Sequence, residues 1–240
     1  MAFGRNRRLA LAAGVAGLCL AGQGQPHAQA QSRVEKDVVY ARVGAKSLAL
    51  DLYMPAGVDS PPLLVWVHGG RWMRGDKSDV PTAFVEHGFA TASLDFRQST
   101  EARFPAMVHD IKAAIRFLRA KAPVYRYRTD RIAIGGTSSG AHLAALVGVT
   151  NGHRELEGTV GDHRNESSAV QAILSYYGAS NLTTILAQST PYGVGVRKPA
   201  LEALLGAPPD QARELARLAS PVFHVDRNDP PLLLFHGAVW

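Results

Sequence analysis

Residues 130–148 read DRIAIGGTSSGAHLAALVG, and the pattern changes period halfway along. Arg131 to Ile134 is short and apolar, as a buried strand is, whereas Ser139 to Val147 fits a helix with the small residues Gly140, Ala141 and Ala144 along it. Between them Gly136-Thr137-Ser138-Ser139-Gly140 makes a G-x-S-x-G turn. A strand that runs through a sharp turn directly into a helix is the building step of an open sheet with helices on its faces. Only Ser138 fits the frame, because Ser139 would need glycines at 137 and 141, where Thr137 and Ala141 stand.

The flanking sequence repeats that step. On the N-terminal side PLLVWVHGG (62–70) is a nearly continuous apolar strand ending in glycines, as expected of a strand covered on both faces in a parallel sheet. Val80 to His87 predicts a modest helix and FATASLDF (89–96) the next strand. The alternating runs Asp37–Val43 and Ser47–Tyr53 predict an antiparallel opening pair. Phe104 to Ala122 is the clearest helix: Phe104, Met107, Val108, Ile111, Ile115 and Leu118 fall on one stripe, and Lys112, Arg116, Arg119 and Lys121 lie off it as an expected solvated face. On the C-terminal side AVQAILSYYG (169–178) and PPLLLFHG (230–237) predict strands, and Lys198–Leu205 and Asp210–Leu218 short helices. The polar stretch Asn151–Ser168 is expected as a surface excursion. No repeat or linker divides the chain, so the expectation is one α/β domain with a mostly parallel central sheet flanked by helices.

Composition bounds the function. The chain has 240 residues, 46% hydrophobic and 19% charged, which is globular and not disordered. The net charge is +6, but residues 1–30 carry Arg5, Arg7 and Arg8 and no acid, leaving 23 basic against 20 acidic residues, a net of +3, in the rest. These are scattered, so no nucleic-acid partner is expected. The start itself reads as a secretory signal peptide: a cationic Arg5–Arg8, an apolar core Leu9–Ala21 and an Ala28-Gln29-Ala30 cleavage site. The apolar core is too short to span a bilayer, which needs ~20 residues. Residues 31–240 would then form the domain, exported to the periplasm or outside the cell, without a membrane span. The Arg7-Arg8 pair permits twin-arginine export, and Cys19, the chain's single cysteine, leaves with the leader.

A serine hydroxyl is a weak nucleophile. It needs exposure, a neighbouring base and a place for the negative charge it creates. The turn at 136–140 supplies exposure, since a tight strand-to-helix turn holds Ser138 above the sheet, and Gly136 and Gly140 let the two elements approach. His68-Gly69-Gly70-Arg71-Trp72 ends another buried strand, and the amides of Gly69 and Gly70, with that of Ser139, could face an oxyanion.

With these motifs the chain resembles the α/β-hydrolases, specifically the carboxylesterase branch related to bacterial feruloyl and acetyl esterases and hormone-sensitive lipase. The resemblance rests on LLVWVHGGRWMRGDKS, SLDFRQS, FPAMVHDIKAAIRFLRAKA, RIAIGGTSSGAHLAAL, ILSYYGASNL and SPVFHVDRNDPPLLLFHG, and covers about residues 45 to 237. It implies a serine esterase acting through an acyl-enzyme on a small-molecule ester, with no metal and no organic cofactor. Arg71 stands where the family often has a third glycine or a small residue, and Ala141 where its nucleophile elbow often has a second glycine. The family's chain order is Ser, Asp, His, and its H-G-x-x-D pattern would put the acid at position 240, where Trp240 stands. The base would follow some tens of residues later. The expectation is therefore a fold lacking its last strand and helix, with crippled activity and with Leu232–Phe235 as an uncovered edge. His142 is expected to pack behind the site and His68 to be structural. Asp226 and Asp229 read as turn residues, Asp95 and Asp110 as structural acids. Trp72, Tyr176 and Tyr177 fit either a pocket wall or the core. Two other readings stay open: a non-catalytic relative that binds an ester, lipid or glycan, and a peptidase of the same fold. Oligomeric state is not legible.

Overall fold

The computed structural model describes residues 32–237. The expected leader at 1–30 and the position of Trp240 lie outside them. The opening pair is β1 (Arg33–Val43) and β2 (Lys46–Met54), antiparallel across a turn at Gly44. Strand β1 starts four residues earlier than its alternation predicts. Irregular register after Glu35 and after Val39, with Asp37 at φ 55°, breaks the period there.

The core strands follow: β3 (Leu63–Val67), β4 (Ala90–Leu94), β5 (Ile132–Thr137), β6 (Ala172–Tyr176) and β7 (Leu232–Phe235). Their order in the sheet is β1-β2-β4-β3-β5-β6-β7, with β2 antiparallel to β4 and every pairing from β4 to β7 parallel. All five residues of β3 are buried, as are all five of β4, which explains their unbroken apolar runs. The chain winds one way from β3 to β4 and the other way to β5, so the carboxyl ends of β3 and β5 form a topological switch point, where open α/β sheets place their ligands.

Helices cover the faces: α1 (Thr82–Glu86), α2 (Ala106–Tyr125), α3 (Ser139–Gly148), α4 (Arg154–Glu157), α5 (Pro191–Leu205) and α6 (Arg213–Leu218). The predicted stripe of α2 is borne out. Met107, Val108, Ile111, Ile115 and Leu118 are fully buried, each contributing ~1.5–3 kcal/mol. The solvated face assigned to its cations is corrected. Lys112 is fully buried and Arg116 nearly so, because the 151–168 excursion folds over them. Glu157, at the end of α4, accepts from Lys112 Nζ at 2.6 Å and from Arg116 Nη1 at 3.1 Å. It also accepts from the amide of Gly152 and from Ser168 Oγ, both at 2.9 Å. Arg119 is half-buried too, donating to the carbonyls of Ser167, Ala169 and Thr129. Helix α5 begins seven residues before its prediction, since Pro191, Gly193, Gly195 and Pro199 read as loop. Thr190 caps it by accepting the Gly193 amide at 3.1 Å, and Pro191 occupies the first turn, where no partner is needed for its missing N–H.

No helix among the described residues is long and apolar enough to cross a membrane.

Candidate functional site

Ser138 sits between β5 and α3 with φ 52° and ψ −119°, a conformation that residues with a side chain rarely hold. Its amide donates to the Tyr176 carbonyl at 2.9 Å and its carbonyl accepts from the His142 amide at 3.0 Å, so the turn is pinned on both sides. The glycines at 136 and 140 are sterically required. A Cβ on Gly136 would lie 2.4 Å from the Val67 carbonyl oxygen, and one on Gly140 2.1 Å from the same atom. Helix α3 can thus rest on the end of β3 only because both positions lack side chains.

That same contact brings the strand-end loop of β3 to Ser138. A Cβ built on Gly69 would lie 3.5 Å from the Ser138 Cβ. Gly70 has φ 120°, and its carbonyl accepts from the amides of Met73 and Arg74 at 3.2 Å. The N–H groups of Gly69, Gly70 and Ser139 find no acceptor among the described residues. Backbone donors left open beside a half-buried hydroxyl are what a developing oxyanion needs. The structure therefore brings together the residues named from sequence: Ser138, Gly69, Gly70, Ser139, Gly136 and Gly140.

Five of the histidine rings have hydrogen-bond partners other than Ser138. His68 is buried and stacks on Phe96 with ring centres 4.5 Å apart, its Nδ1–H donating to the Gly69 carbonyl. His142 is fully buried; Trp72 Nε1–H donates to its Nδ1 at 3.0 Å and its Nε2–H donates to the Ala219 carbonyl at 2.7 Å. Burial pushes its pKa down to about 4, and a neutral ring with both nitrogens engaged cannot accept the Ser138 proton. His87, His109 and His224 bond the carbonyls of Ala83, Glu155 and Leu218. The acids behave as expected from sequence. Arg97 grips Asp110 through Nε at 2.8 Å and Nη2 at 2.7 Å. Asp95 Oδ1 accepts from the Lys77 amide at 2.9 Å, with burial raising its pKa above the usual range. Asp226 and Asp229 close a turn, the Asp226 amide donating to Asp229 Oδ2 at 2.7 Å. The expected acid position, 240, lies outside the described residues.

Of the aromatics, Trp72 belongs to the core. Tyr176 stacks on Phe235 with centres 4.6 Å apart, and Tyr177 is exposed next to the carbonyl that holds Ser138. Sequence reasoning missed the tie from Trp72 to His142; the two lie seventy residues apart and no spacing connects them. A cavity of about 670 Å³ lined by Tyr53, Met54, Val58, Val85 and His87, and one of about 430 Å³ beside Ser60, Arg126 and Tyr127, both lie at the amino ends of the parallel strands, away from Ser138. No group of three or more metal-ligating side chains is found among the described residues.

Comparison with known proteins accords with this geometry. The family model BD-FAE matches residues 50–239. Esterase LipC of Mycobacterium tuberculosis is 29% identical over 181 residues, 74% of this chain and 44% of LipC. The isoprenylcysteine alpha-carbonyl methylesterase ICME of Arabidopsis thaliana is 29% identical over 215 residues, 86% of this chain and 48% of its own. Among solved structures, the bifunctional GH43-CE of Bacteroides eggerthii has a TM-score of 0.76 at 32% identity, over 85% of this chain and 28% of that one. A truncated form of a carbohydrate esterase from gut microbiota has a TM-score of 0.75 at 28% identity, over 86% and 76%. The chain spans about half the length of the curated relatives it matches.

Proposed function

Because this chain belongs to the BD-FAE family of α/β-hydrolase esterases, we propose that it is a serine carboxylester hydrolase whose nucleophile is Ser138. The hydroxyl oxygen attacks the ester carbonyl, the carbonyl oxygen takes the negative charge and the amides of Gly69, Gly70 and Ser139 receive it. The alcohol then leaves with a proton, an acyl group stays on Ser138, and water releases it as the acid. His142 does not supply the base, since both of its ring nitrogens are engaged; in the family's order the base follows Ser138 and the acid along the chain. Without a base, catalysis falls by on the order of 10⁴ to 10⁶ while ~10³ to 10⁴ over water survives through the oxyanion donors and binding.

One observation carries this reading: the left-handed φ of 52° at Ser138 beside three open backbone donors. Nothing in a merely structural turn requires a serine there, since glycine would hold the angle without strain. The relatives named as esterases and the neighbour named as a carbohydrate esterase support an ester substrate. Small acyl esters on a sugar and aromatic acyl esters are the first candidates, and exposed Tyr177 can offer such a ring a face.

A fluorophosphonate probe tests the proposal. Stoichiometric labelling of the wild-type chain, lost in Ser138→Ala, together with turnover of acetylated xylose or methyl ferulate, supports it. An unlabelled chain that still binds those esters in saturation-transfer NMR is the non-catalytic relative, and labelling with cleavage only of peptide amides makes it a peptidase. Export is part of the same proposal. A mature protein beginning at Gln31, found by mass in the periplasm or medium of an expressing bacterium, supports it, whereas an intact Met1 in the cytoplasm opposes it.

A further inference from the structure

The loop after β3 contains two consecutive residues with side chains in left-handed backbone, Arg71 and Trp72, each at φ 60°. Such a pair persists only where its surroundings over-determine it. Three of the restraints are backbone bonds: the Ser99 amide donates to the Trp72 carbonyl at 2.7 Å, and the Met73 and Arg74 amides both donate to the Gly70 carbonyl. The fourth is the indole. Its N–H reaches across to His142 on α3, at 3.0 Å, with the rings edge to face at 5.3 Å.

His142 is placed to transmit position. Its ring joins Trp72 on one side and the Ala219 carbonyl on the other, while its own amide holds the Ser138 carbonyl. Gly178 packs closely behind it, since a Cβ there would lie 2.8 Å from the His142 amide nitrogen. Accepting at Nδ1 and donating at Nε2 fixes one neutral tautomer. One residue therefore contacts both halves of the site: the turn that carries the hydroxyl and the loop that carries two of the three open amides.

We propose that His142 is a positioning residue, which through Trp72 sets the distance between the Gly69 and Gly70 amides and Ser138. The inference rests on the reading of those amides as oxyanion donors. An apolar ring of similar size could fill the same volume, but could not hold the indole N–H, so packing and positioning predict different variants.

The test uses the full chain and the variants His142→Gln, His142→Phe and Trp72→Phe. Glutamine can accept from the indole and donate to Ala219; phenylalanine can do neither. The expected result is a fall in the fluorophosphonate labelling rate on the order of 10²-fold in His142→Phe and Trp72→Phe, with return to within about threefold of wild type in His142→Gln. The loss should fall on the bond-forming step, leaving probe affinity unchanged. In ¹⁵N-resolved NMR, wild type should show the His142 ring protonated at Nε2 with Nδ1 accepting, and a Trp72 indole proton protected from exchange. Wild-type labelling by a folded His142→Phe chain overturns the proposal, and so does a glutamine variant as slow as the phenylalanine one. If wild type itself does not label, as a chain without its base would not, the Gly69 and Gly70 amide resonances decide. Shifts in Trp72→Phe that are absent in His142→Gln support the tie, and unmoved resonances in both refute it.

Discussion

Ser138 holds its backbone angle at a cost of about 1–3 kcal/mol, the usual penalty for a side chain in sparsely populated φ/ψ space. Replacing it with glycine should raise the stability of the folded chain by about 1 kcal/mol in urea denaturation, part of the relief being offset by glycine's greater freedom when unfolded. The same variant should lose all fluorophosphonate labelling; a less stable Ser138→Gly chain would show that the angle is unstrained. His142 makes a second measurement available at this scale. Its pKa is about 4 in the fold against an ordinary 6.5, so the unfolded chain binds the proton more readily. The stabilisation is complete above pH 6.5, declines as pH falls, and by pH 4 has removed about 3 kcal/mol. Carboxylates titrate in the same range, so the quantity to measure is the difference in pH slope between wild type and His142→Gln. Parallel slopes would contradict the buried neutral ring.

At the scale of elements, the strand–turn–helix at 132–148 was legible because its restraints are local: glycines at 136 and 140 with an apolar run before them. The cations of α2 were not. A helical stripe separates apolar from polar positions, but Lys112 and Arg116 find their acid 45 and 41 residues on, at Glu157. Periodicity contains no term for that separation. The glycines and prolines of α5 misled for the opposite reason, because local propensity was overridden by a cap at Thr190 and burial of Leu201 and Leu204. The cluster has a measurable consequence. Glu157→Ala leaves two buried cations without a counter-charge and should cost about 3–5 kcal/mol, seen as a lower urea midpoint and as faster proteolytic cleavage between residues 150 and 168. A change below 1 kcal/mol would mean that water reaches both cations.

At the scale of the molecule, the sheet is asymmetric. Its β1 end is a long hairpin, whereas at the β7 end, which pairs only with β6 among the described residues, all four residues from Leu232 to Phe235 are exposed. Apolar edges of this kind pair with other chains, so Leu234→Lys should lower concentration-dependent light scattering of the chain without lowering its melting temperature. Equal scattering in both would remove β7 from the contact. The fold class and the placing of Ser138 at the carboxyl ends of β3 and β5 were readable from strand–helix alternation. The contacts that fix the loop at 69–74 were not, since they come from α3 and from the segment around Ser99. This division between fixed and open positions also indicates how the scaffold could be re-aimed. Gly69, Gly136 and Gly140 cannot accept a side chain without moving a neighbouring carbonyl or hydroxyl. Arg71 and Tyr177 are exposed, with φ of 60° and 48°. Both lie in backbone where asparagine and glycine sit at least as comfortably as the residues present. A small library confined to these two positions can therefore vary the exposed surface of the loops after β3 and β6 while the glycines at 69, 136 and 140 stay as they are.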